Sequence, residues 1–193
     1  MISIRIPKDS DSITIGEYVA FYSAQNEVER MMAATGLSRQ QVNGMKAATT
    51  TEILDYFEQA MSRGEAKHKR ILKVRDMTLG FIPDFNAITL AEHVDMETYA
   101  NAMYHEGKIV DYNALVSLFC ILYRPVIHEH SGRYELQTYS ADKVASYKEY
   151  VMELPLSCMN GALVFFLITL REYVVSTAES LATTVMSETQ KEP

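Results

Sequence analysis

Tryptophan is missing from all 193 residues, and cysteine occurs only twice, at Cys120 and Cys158. Two thiols far apart, each inside an apolar run, exclude a disulfide miniprotein and any C-x-x-C metal or redox pair. They are expected to be buried free thiols of a reducing compartment. Five prolines and eight glycines are too few for a collagen-like or low-complexity chain. A basic excess is also lacking: 18 Lys and Arg stand against 25 Asp and Glu, a formal charge of −7. Nucleic-acid binding is therefore not expected, because phosphates are met by surplus cations. The opening MISIRIPKDSDSITIG has no basic stretch followed by an apolar one, so no secretory signal is expected. The longest uncharged run, 154–170, is 17 residues, interrupted early by Pro155, Ser157, Asn160 and Gly161. A spanning helix needs about 20 apolar residues, so this run is read as a buried helix and no membrane association is expected.

What the chain does have is an ordinary globular balance, 48% hydrophobic and 22% charged, with 11 methionines and 12 tyrosines. The expected class is α+β, predominantly helical. It comprises a short N-terminal strand, one or two small β-hairpins and a long C-terminal helix. The whole chain, 1–193, is read as a single domain, with an alternative division into a helical lobe 1–66 and a second lobe 67–193.

Local signals place the elements. Ile2, Ile4 and Ile6 alternate with polar residues as a strand would. Four T/S-x-x-E/Q capping boxes open helices: Thr14 with Glu17, Ser38 with Gln41, Thr49 with Glu52, and Thr89 with Glu92. The corresponding helices are expected over 15–34, to about Met45, over 50–63, and to about Tyr104, with Asp95 as a mid-helix cap; Gly36, Gly64 and Gly107 act as stops. KRILKVR (69–75) and MTLGFIP (77–83) read as two strands meeting near Asp76. An apolar helix runs from Asn113 to Leu122, and Arg124-Pro125 breaks it. VIHEH and RYELQTY flank Ser131-Gly132 as a hairpin. Ser140 caps a helix from Ala141 to Glu153, Pro155 starts the last helix, to about Val185, and the final SETQKEP is expected to fray.

Candidate chemistry is sparse. His128 and His130 share one face of a strand, the most metal-like pattern in the chain, but no H-E-x-x-H and no second pair supports it; His68, His93 and His105 are isolated. An exposed strand end is the plainer reading. There is no G-x-S-x-G and no phosphate-cradling glycine pattern. Arg63, Lys67, Lys69, Arg70, Lys73 and Arg75 form a basic run opposed only by Glu65. It reads either as a lysine-guarded edge strand or as a docking patch for an acidic segment. Met31, Met32, Met45, Met61, Met96, Met103, Met152 and Met159 fall in expected helices. They suit an irregular core, or an adaptable groove for a partner helix.

A family resemblance rests on residues already placed. GFIPDFNAITLAEHVDMETYA (80–100), LFCILYRPV (118–126), the RYELQTYS hairpin and MELPLSCMNGALVFF (152–166) follow one another in that order. The set resembles a family of tailed-phage proteins described as tail assembly chaperones or virion morphogenesis proteins. The common features are the T-L-x-E-x-x-D-x-E-x-Y helix opening, the I-L-Y-R-P helix exit and the late small-residue–aromatic helix. ITIGEYVAFYSAQ is similar to their N-terminal helix. Ala91 stands where glycine is expected. The resemblance covers 70–190 well and 13–60 loosely, and its motifs are structural rather than chemical. It implies a non-enzymatic protein without cofactor, acting in the host cytoplasm. Such a protein shields apolar helical segments of a tape-measure protein; the alternative is a baseplate or hub subunit retained in the virion. The reading admits a homo-oligomer. The residues singled out for partner binding are Tyr18, Tyr22, Met31, Met32, Phe57 and Met61 on the first long helices, with Lys69, Arg70 and Lys73 on the basic strand.

Overall fold

The computed structural model describes residues 4–166. The protein is α+β and helix-dominated, as its patterning implies. Four helices come first: α1 (Ile15–Ser23), α2 (Glu27–Thr35), α3 (Arg39–Asn43) and α4 (Ala47–Ser62). A hairpin follows, β1 (Ile71–Val74) and β2 (Met77–Phe81), then α5 (Leu90–Met103) and the two-residue strands β3 (Tyr104–His105) and β4 (Lys108–Ile109). The chain continues through α6 (Tyr112–Leu122), β5 (Tyr123–His130), β6 (Arg133–Leu136), α7 (Ala141–Val144) and α8 (Lys148–Met152). It enters α9, helical over 156–166, where the described residues end.

The capping boxes at Thr14, Ser38 and Thr89 form as expected, each with reciprocal side-chain and backbone hydrogen bonds. Gly36 closes α2 at φ 70°, donating its N–H to Met32 O. This left-handed conformation is open to glycine without a Cβ penalty.

Five expectations need correction. Residues 4–6 form no strand: Arg5 instead reaches across to Glu17 in the first turn of α1 (3.0 Å), and Ile6 is exposed. The remainder of that expected strand lies outside the described residues. The helix over 15–34 is two helices, because Asn26 takes extended geometry and its side chain accepts from Glu29 N. That N-E-V-E sequence is itself a cap signal. The box at Thr49 does not form: α4 starts at Ala47, inside which Thr50 and Thr51 hydroxyls bond back to the carbonyls of Lys46 and Ala47. The helix over 141–153 is broken into α7 and α8 by Tyr147, whose ring is buried and whose hydroxyl donates to Cys120 O (2.8 Å). Asp95 caps nothing; it accepts from Tyr139 OH (2.7 Å). Gly107 turns the unanticipated β3–β4 hairpin.

β1, β2, β5 and β6 make one antiparallel sheet in that order. Both hairpins within it close on two-residue turns, Ser131 and Gly132 having positive φ in the β5–β6 turn. Leu79 and Phe81 of β2 are buried, Phe81 edge to face with Tyr123 (5.1 Å), and the residues of α6 from Ala114 to Leu122 are almost entirely enclosed. The core cluster continues through Phe21, Met31 and Phe57 to Leu156, Met159 and Phe166. α9 meets the 67–68 segment so closely that a Cβ on Gly161 would fall 2.3 Å from His68 N. The uncharged run therefore serves as a packed helix over its described part; 167–170, the helix to Val185 and the expected frayed end lie outside the described residues. No helix among the described residues is long and apolar enough to cross a membrane.

Candidate functional site

The metal-like pair does not assemble. His128 and His130 stand on the exposed end of β5, opposite Glu135 and Arg133. A cross-strand guanidinium beside an imidazole repels a metal ion rather than completing its ligand set. Among the described residues no three His, Cys, Asp or Glu side chains gather at ligand spacing. Cys120 and Cys158 are buried, and burial pushes both thiols up, that of Cys120 to about 12. Thiolate chemistry is disfavoured at both.

Sequence reasoning did not anticipate two polar clusters. In the first, the Lys67 ammonium donates to Asp11 (2.8 Å) and the buried Ser157 hydroxyl donates to the other oxygen of the same carboxylate. The hydrogen bond from Lys67, then that from Ser157, holds the Asp11 carboxyl below its usual range, and the same Asp11 contact raises Lys67. A weakly basic carboxylate and a firmly protonated lysine do not activate a hydroxyl. The three residues clasp the Asp9–Ser12 turn to the start of α9. In the second cluster, Glu92 accepts from Thr89 N (2.6 Å) and pairs with Arg124 at 2.7 Å; their side chains are 5% and 9% exposed. Arg124 also donates to Gln137 O (3.2 Å). Asp11, Lys67 and Ser157, like Glu92 and Arg124, lie far apart in the chain, and no local spacing foreshadows their pairing.

Two surfaces remain open. On α1, Tyr18 and Tyr22 pack edge to face (4.9 Å between centroids), and Tyr22 stacks on Tyr112 of α6 (5.8 Å, 8° between planes). Burial raises the pKa of all three phenols, so they are neutral donors on an aromatic patch. Separately, α1 and α2 leave an open depression of about 330 Å³ lined by Ala20, Ser23, Ala24, Glu29, Met32 and Ala33. Of the residues singled out from the sequence, Met32 lines this depression and Tyr18 and Tyr22 belong to the aromatic patch. Met31, Phe57 and Met61 are enclosed in the core, where they shape the helices rather than meet a partner.

The second surface is basic. Lys69, Arg70 and Lys73 are exposed on and beside β1. Arg70 lies over the Tyr134 ring (5.8 Å), and Arg75 pairs with Glu153 and lies over Tyr150 (5.5 Å). Lys69 and Lys73 make no ion pair with a described residue.

No family model, curated protein or solved structure matches the chain. Both surfaces are suited to binding, one by apolar and aromatic contact and the other by charge.

Proposed function

We propose that this protein is a non-enzymatic tailed-phage morphogenesis protein, a tail assembly chaperone that binds apolar helical segments of a tape-measure protein in the host cytoplasm. The motif resemblance supplies the family. The observation that carries the binding mode is the depression between α1 and α2, with its alanines and Met32. Small side chains leave room for a partner's larger ones, and methionine adapts to many apolar shapes. No cofactor is assigned to the role.

Co-purification with tape-measure fragments at micromolar concentration tests the reading. The wild-type protein should retain them, and Ala20→Glu, at an exposed position, should weaken retention by about tenfold, as loss of a central apolar contact does. No retention by the wild-type protein overturns the proposal. The alternative, a baseplate or hub subunit, is favoured if mass spectrometry finds the protein in purified virions at a fixed copy number; a chaperone should be absent or strongly depleted.

A further inference from the structure

The outer edge of β1 carries an unusual charge. Antiparallel β1–β2 pairing is continued by Phe81 N donating to Arg70 O (2.8 Å), so Arg70, Leu72 and Val74 direct their backbone groups inward to β2. Alternation then turns the N–H and C=O groups of Ile71 and Lys73 outward, and β1 ends the sheet order with no strand beyond it among the described residues. The segment 63–75, from the end of α4 through β1, holds six basic residues and one acid, in a chain whose formal charge is −7. Lys67 is neutralised by Asp11 and Arg75 by Glu153. Lys69 and Lys73 are left without an ion pair to a described residue, on one face and flanking Ile71.

We propose that the outer edge of β1 takes up an extended acidic segment of a partner protein as an added strand. A second copy of the edge is a poor occupant, since pairing β1 with β1 sets Lys69, Arg70, Lys73 and Arg75 against their own kind. The complement is acid, apolar, acid at alternate positions, opposite Lys69, Ile71 and Lys73. Main-chain hydrogen bonds supply the affinity and the two lysines the selection. This inference does not depend on the tail-chaperone reading.

The test uses the full-length protein and the fluorescent peptide Thr-Glu-Thr-Val-Thr-Glu-Thr, followed by anisotropy at low and moderate salt. Binding should be saturable and weaken with salt. Two further peptides carry N-methyl groups on one or the other alternating set of amides. One of them should lose binding and the other keep it, because only one set faces the edge. Lys69→Glu with Lys73→Glu should weaken binding by about tenfold or more while leaving the circular dichroism spectrum unchanged. The proposal is overturned if the peptide does not bind at low salt, or if both methylated peptides bind alike. Equal binding of a dT oligonucleotide, or edge-mediated dimerisation of the protein alone, also overturns it.

Discussion

Arg124 and Arg75 each face a glutamate, in opposite surroundings. The Arg124–Glu92 pair has side chains 9% and 5% exposed, while Arg75 and Glu153 are 55% and 36% exposed. The first pair joins the opening of α5 to the α6–β5 junction, and Glu92 serves two partners at once, the Thr89 amide and the guanidinium. The second sits at the β1–β2 turn in reach of water, where Arg75 also covers Tyr150. A buried charge whose partner is removed stays buried and uncompensated; an exposed one is rehydrated. The same chemistry is therefore structural at the junction and nearly dispensable for folding at the β1–β2 turn.

The largest effect should come from breaking the buried pair. Glu92→Ala strands the Arg124 cation and removes a cap, and is expected to cost about 3–5 kcal/mol in urea unfolding. Gly161→Ala should cost about 1–3 kcal/mol, since the added Cβ meets backbone atoms of Lys67 and His68 that cannot swing aside. Asn26→Ala, which removes the side-chain cap of α2, should cost about 1 kcal/mol. Glu153→Ala, at the exposed pair, should cost less than about 1 kcal/mol; a larger loss would erase the contrast between the two pairs. The smallest effect concerns pH. His68 stacks on Phe165 and abuts Phe81, and burial, then Arg70, lowers its pKa from the ordinary value. Its neutral form is therefore favoured in the fold: this contribution is present above about pH 6.5 and is lost as pH falls through the lowered value. His68→Phe should flatten that part of the urea-midpoint profile between pH 7.5 and pH 5.5.

The two regions also differ in how far the sequence discloses them. β1, β2 and their turn are visible in seven-residue patterns, and the capping boxes at Thr14, Ser38 and Thr89 are local by nature, so each forms where its spacing places it. Thr49 fails although its spacing is right, because a helix already begun at Ala47 puts the threonine hydroxyls of this stretch against helix carbonyls. Tyr147 breaks the 141–153 helix for a reason that lies on α6, the Cys120 carbonyl. The Glu92–Arg124 pair is likewise a product of tertiary packing: Glu92 is fully explained as a capping residue until the fold brings Arg124 to it. The apolar surface was legible only in part. Met32 lines the α1–α2 depression, whereas its neighbour Met31 on α2 and Phe57 on α4 are taken up by the core.

The central claim is that charge holds the fold together at the α5–β5 junction and serves the surface on β1. Equilibrium urea unfolding of Glu92→Ala and Lys73→Glu, side by side with the wild-type protein, tests it most directly. The expected result is a midpoint far below wild type for Glu92→Ala and an unfolding free energy changed by less than about 0.5 kcal/mol for Lys73→Glu, as for an ordinary surface change. A wild-type midpoint for Glu92→Ala, or an equal loss in both variants, would contradict the account.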